Sequence, residues 1–176
     1  MVLDRLFHLR YLMYMVRKRK TPAGIKQSRS SQAALKVFML FVETAHAVLK
    51  DADKLLHQAV GLSTGQFVVL MVLSYSGGTI TSAKLAERTG TRPHNITTLV
   101  DRMELNGLVA TERRETDRRF VYIMLTDKGR SVLEKAMPAA RKVVAKATTT
   151  LAEPELAELE RFLITIKQNV KEVPGK

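Results

Sequence analysis

Between residues 92 and 102 the chain carries Arg92, His94, Asn95, Thr97, Thr98 and Arg102, interleaved with apolar Ile96, Leu99 and Val100 and followed by Met103. At 100° per residue the apolar set forms one helix face. Thr91, His94, Asn95, Thr98, Asp101 and Arg102 fall on the opposite side, with Arg92 and Thr97 near its edges. An amide, two hydroxyls, an imidazole and guanidinium groups on one exposed face suit the recognition of base edges and phosphates rather than bond-making. Asn95 can pair with adenine, Thr98 can touch a thymine methyl, and Arg92 can reach guanine or phosphate. His94 can donate to either. The plainer alternative is a set of solvated polar residues. Asp101 would be repelled by phosphate and is expected to pair with a nearby arginine.

Two further groups flank this helix. Thr81, Ser82 and Lys84 open an earlier helical piece and are candidates for phosphate contacts that fix register. The charged run Glu115-Thr116-Asp117-Arg118-Arg119 separates two β-rich stretches. After it, Val121, Ile123 and Leu125 alternate with Phe120, Tyr122 and Met124, which argues for a real hairpin. Lys84 to Arg88 reads as one helix closed by Gly90. Pro93 opens the next at a natural first-turn position, and Gly107 ends it. Thr79-Ile80-Thr81 can pair as a strand with the hairpin. Helix, turn, helix and ribbon in that order form a winged helix-turn-helix, which lays its second helix in a DNA major groove.

Enzymatic chemistry lacks its usual parts: there is no glycine-rich phosphate loop, no cysteine nucleophile and no HExxH pattern. His46 and His57 lie eleven residues apart, about 16 Å along a helix at 1.5 Å per residue, too far to share an ion. No cofactor and no metal site are expected. The absence of cysteine removes disulfides and thiol-based sensing and fits a reducing cytoplasm, the expected location. No apolar run approaches the roughly 18 residues of a membrane span.

The formal charge of +12 suggests a polyanionic partner. Its distribution weakens that argument, because residues 1–31 hold +7 and residues 79–130 only +3. In the first thirty residues an apolar cluster from Leu6 to Val16 precedes Arg17-Lys18-Arg19-Lys20, the reverse of a secretory signal. A surface-lying amphipathic helix, a helix on a dimer partner, and a loose extension with an upstream start all fit it. Thr21 to Ser31 reads as a linker.

From Ser31, a plausible N-cap, Leu35, Phe38, Met39, Val42, His46, Leu49 and Leu56 recur at helical spacing until Gly61. Ser63 or Thr64 caps the next helix, through Phe67, Leu70, Met71 and Leu73. Toward the C-terminus, Leu133, Met137, Ala140, Val144, Ala147 and Leu151, then Leu156, Leu159, Leu163, Ile166 and Val170, form seven-residue seams suited to helix–helix packing. Pro138, near the start of the first, should bend it. Helices at both chain ends with a small module between leave apolar surface for a partner, and a homodimer is expected. The fold class is therefore mainly α with a small β-wing. Residues 1–30 form an extension and linker, 31–62 an N-terminal dimerisation helix, 63–128 the winged module and 129–176 C-terminal dimerisation helices.

Leu85-Ala86, Asn95 to Glu104, Asn106-Gly107-Leu108-Val109, Asp117-Arg118-Arg119 and Leu125-Thr126-Asp127-Lys128-Gly129, in order and at family spacing, resemble the MarR family of bacterial transcription regulators. The resemblance spans about Ser31 to Val170. It implies a homodimer whose base is built from both chain ends, with two winged modules reading a pseudo-palindromic operator. It also implies that Arg119 enters the minor groove braced by Asp117, with Arg118 a second candidate. A narrow A·T-rich groove attracts such an arginine. Many members bind phenolic or other aromatic acids in a crevice between base and module; here His46, Phe67, Met71 and Tyr75 are candidates to line it, or plain core residues. The lack of cysteine excludes the thiol-oxidation branch. A ligand-responsive repressor is the leading reading; a sequence-tolerant architectural protein and a winged helix used only for protein contacts are the alternatives.

Overall fold

The computed structural model describes residues 29–113 and 120–171. The basic extension through residue 28 and the tip residues Asp117, Arg118 and Arg119 lie outside them. The chain divides into two compact units, with the boundary after Val48. Helix α1 (Arg29–Val60) carries that boundary within it. Arg29 lies two residues before Ser31, so Ser31 sits inside the helix and is not its cap, and residues 29–31 of the expected linker are helical. Of the expected apolar stripe, Met39 and Leu56 are buried, whereas Phe38 and Leu49 are more than half exposed, as are Val37 and Leu40. The stripe is real as a pattern, but one chain does not cover it. Gln32–Val60 also reaches the length and apolarity of a membrane span, with mean hydropathy 1.3 over 18 residues. This departs from the expectation that no run does so.

In the second unit, Gly61 turns the chain at φ +72°, and its N–H donates to the His57 carbonyl at 2.9 Å. Helix α2 (Thr64–Tyr75) starts with a reciprocal cap: the Ser63 hydroxyl accepts from the Gln66 N–H, and the Gln66 side chain accepts from the Ser63 N–H at 2.9 Å. Strand β1 (Thr79–Thr81), helix α3 (Ser82–Thr89) and helix α4 (Pro93–Leu105) follow. Strands β2 (Val109–Glu112) and β3 (Tyr122–Leu125) complete a three-stranded antiparallel sheet in the order β1-β3-β2. The register puts Ile80 opposite Ile123 and Val109 opposite Leu125.

One core joins these elements. Leu70 and Leu73 of α2, Leu85 of α3, Ile96 and Met103 of α4 and Ile123 of β3 are completely buried within it. Each such side chain contributes about 1.5–3 kcal/mol of hydrophobic stabilisation. The core is small, and its task is to fix α4 and the sheet around one point.

Helix α5 (Asp127–Thr148) packs against α2. It starts eleven residues before Pro138, which is therefore a mid-helix proline, not one near the start. Its buried residues are Gly129, Leu133, Ala136 and Val143, while Val144 is 61% exposed. The expected seam shares Leu133 and the part-buried Met137 with the inner face but leaves it at the exposed Val144 and Ala147, where the buried row runs through Ala136 and Val143 instead. Helix α6 (Glu153–Lys171) is exposed along its described length, including Leu156, Leu159, Leu163, Ile166 and Val170.

Candidate nucleic-acid interface

Helix α4 is anchored by its apolar side and open on the other. Ile96, Val100 and Met103 are buried and Leu99 packs against them, whereas Arg92, His94, Asn95, Thr97, Thr98 and Arg102 are exposed. Arg92 occupies the N-cap with extended backbone and no side-chain cap, and Pro93 fixes the first turn. Among the described residues, the side chains of Arg92, His94 and Asn95 have no intramolecular hydrogen-bond partner, so their donors and acceptors are available outward. Thr97 and Thr98 differ. Their hydroxyls donate back to the carbonyls of Pro93, at 3.2 Å, and His94, at 3.3 Å. Thr98 therefore offers its methyl and an acceptor lone pair rather than a donor, which suits a thymine methyl. The expected ion pair of Asp101 is absent among the described residues; Asp101 stands in solvent on the same face.

Helix α3 supplies the second group. Thr81 is its N-cap, with the hydroxyl accepting from the Lys84 N–H at 3.4 Å. The Ser82 N–H donates to the Val121 carbonyl at 2.9 Å, tying the helix start to the hairpin. Gly90 closes α3 in the left-handed conformation, φ +63°, where glycine is favoured. Leu85 and Ala86 face the core while Lys84 points outward. An open cleft of about 430 Å³ brings Thr81 and Lys84 together with Ser76, Arg88 and Tyr122. Sequence reading did not single out Arg88. Its guanidinium donates to the Ser76 hydroxyl at 2.6 Å, which in turn donates to the Val72 carbonyl at 2.6 Å. The Arg88–Ser76 link spans twelve residues and leaves no local periodic signal.

The turn after α4 is tied to the exit from the sheet. Thr126 caps α5 by accepting from the Gly129 N–H at 2.9 Å. Its hydroxyl lies 2.7 Å from the Gly107 carbonyl and 3.0 Å from that of Leu108, sharing its proton between them. Gly107 adopts φ +67°. A Cβ on Gly129 would overlap the Leu108 carbonyl oxygen. The spacing of Gly107, Thr126 and Gly129 thus has a mechanical cause: the turn after α4 and the start of α5 cross at one point.

The effector candidates do not sit alike. Phe67 and Met71 are part-buried against the core, Tyr75 is 80% exposed, and His46 is an exposed residue of the first unit. Among the described residues no group of three or more His, Cys, Asp or Glu is placed to hold a metal.

Comparison with known proteins agrees with this architecture. A family model described as MarR family matches residues 60–119. The HTH-type transcriptional repressor Rv2887 of Mycobacterium tuberculosis is 30% identical over 117 residues, which cover 66% of this chain and 84% of the repressor. A MarR family transcriptional regulator from Streptomyces coelicolor, solved in complex with DNA, superposes with a TM-score of 0.74 at 22% identity, over 82% of this chain and 93% of the other. An organohalide-sensing transcriptional regulator, solved in its 2,4-dichlorophenol-bound form, gives 0.75 at 21% identity, over 89% and 93%. With an exposed polar helix face anchored beside a β-ribbon and a 30% identical repressor matched over most of its length, the chain belongs to the MarR family of DNA-binding transcriptional regulators.

Proposed function

We propose that the protein is a ligand-responsive repressor that binds a pseudo-palindromic operator as a homodimer. The observation that carries the reading is the outward face of α4, where Asn95, Thr98, Arg92, His94, Thr97 and Arg102 stand exposed over a fully buried anchor. In this arrangement Asn95 and Thr98 read bases, and Arg92 and Arg102 reach bases or phosphate. Thr81, Ser82 and Lys84 hold the backbone in register. Exposed apolar rows on α1 and α6 support a second copy as partner. The dichlorophenol carried by one structural neighbour supports a small phenolic or aromatic effector. The function is exercised in the cytoplasm, on double-stranded DNA.

Titration of labelled duplex with competitor DNA across salt concentrations tests the reading. Specific binding that resists competitor is expected; uniform binding indicates an architectural protein, and no binding a protein-interaction module.

Two expected outcomes concern segments outside the described residues. If Arg119 enters the minor groove beside Asp117 and Arg118, Arg119→Ala weakens specific binding by about 1–3 kcal/mol per half-site. Unchanged affinity with the fold intact makes the tip solvated charge only. Because the described length of α1 starts at Arg29, removing residues 1–28 deletes most of the N-terminal charge and leaves that length whole. The truncated chain should show a shallower salt dependence of DNA binding and an unaltered ranking of operator sequences, read by titration at several salt concentrations.

A further inference from the structure

Glu104 sits on the last turn of α4 and reaches across Asn106-Gly107 to the sheet. One carboxylate oxygen accepts the Thr111 backbone N–H at 2.7 Å and the Thr111 hydroxyl at 2.8 Å, and the other oxygen lies 3.0 Å from that hydroxyl. These bonds are charge-assisted and therefore stronger than neutral ones. Thr111 belongs to β2, one of the two edge strands, and pairs in register with the fully buried Ile123 of β3. An edge strand leaves outward N–H groups without a strand partner, and Glu104 provides one from the helix.

Burial does not demand this contact. Glu104 is exposed, so water would hydrate the carboxylate at little cost. Its charge also opposes association with phosphate. Beside the DNA-facing elements of a chain of charge +12, what this carboxylate supplies is geometry: three short contacts to Thr111. The ribbon's other end is already fixed, because Thr126 ties the exit of β3 to the turn after α4.

We infer that Glu104 is a positioning residue of the DNA interface: it holds β2 against the end of α4, so that helix and ribbon meet the duplex as one rigid body. This rests on the reading that α4 and the ribbon both contact DNA. The contribution is then to discrimination, since a loosened ribbon can still follow any phosphate backbone but cannot hold one register.

Glu104→Ala and Glu104→Gln test it. Both remove the same charge, and only glutamine keeps an acceptor oxygen within reach of Thr111. A duplex selected from a random pool by the wild-type protein serves as the specific probe, and a scrambled duplex of equal composition as the non-specific one. Glu104→Gln should bind the selected duplex about threefold to tenfold more tightly than Glu104→Ala, as one or two hydrogen bonds allow. The two should bind the scrambled duplex alike. Thr111→Val, which keeps the N–H, should weaken selected-duplex binding in the wild type and add little to Glu104→Ala, because both act on one contact. Equal affinities of the alanine and glutamine variants for the selected duplex, whether or not their melting temperatures fall, overturn the proposal. If Asn95→Ala still lowers the preference in that case, base reading by α4 stands and only the positioning role is lost. If no selected duplex is preferred over the scrambled one by the wild type, base reading fails and the positioning role falls with it.

Discussion

Gly129→Ala should lower stability by about 3 kcal/mol, which for a chain of this size is a melting temperature lower by roughly 6–12 °C. A Cβ there would overlap the Leu108 carbonyl oxygen and press on the Leu125 side chain. Leu108 cannot retreat easily. Its N–H is bonded to the Met103 carbonyl at 2.9 Å, and its carbonyl receives both the Thr126 hydroxyl and the Thr126 N–H. Relief therefore means moving the turn after α4 or unwinding the first turn of α5, and either loosens the core at Met103 and Val109. Gly65→Ala is the control. Gly65 lies in the first turn of α2, where a Cβ would meet Leu99 at an ordinary 3.6 Å. That substitution should be neutral or stabilising by up to about 1 kcal/mol. Thermal unfolding of both variants checks the pair, and a Gly129→Ala protein that melts with the wild type removes the packing argument.

The parts of this fold that follow from local spacing were legible in the sequence. Ile96, Val100 and Met103 mark the buried face of α4 because a single helix turn relates them, and the alternation around Ile123 marks β3 because strand period does. Gly90 and Pro93 mark helix ends through backbone geometry alone. What escaped was set by partners distant in sequence. The Ser76–Arg88 and Glu104–Thr111 contacts join elements across turns, so no period announces them. The inner row of α5 was misplaced because a heptad reading carries Leu133 on to Val144 and Ala147, whereas the buried row runs through Ala136 and Val143. Asp101 was assigned an arginine partner because phosphate would repel it, and among the described residues it has none. The exposed face of α4 was readable as a candidate site because it is the complement of a buried one; which of its residues touch DNA is a property of the complex.

The apolar rows of α6 lead to the second large effect. Leu159 and Leu163 are one helix turn apart and 43% and 41% exposed, with Leu156 and Ile166 continuing the row. An open apolar cleft of about 380 Å³ lies along it, lined by these leucines together with Ile164. None of these residues belongs to the core that holds α4 and the sheet. On the homodimer reading, Leu159→Asp together with Leu163→Asp places two carboxylates per chain in a dry interface, where each unpaired charge costs several kcal/mol. The double variant should sediment as a monomer at micromolar concentration, against a dimer for the wild type. Because the core is untouched, the far-ultraviolet signature of the second unit should persist. Two modules tethered in one dimer bind a two-half-site operator far more tightly than either alone. Uncoupling them should therefore reduce operator affinity by more than about 100-fold, while a single half-site duplex is bound almost as before. A double variant that still sediments as a dimer would show that α6 is not the base of the assembly. One that is monomeric but keeps full operator affinity would show that reading the operator does not require two copies.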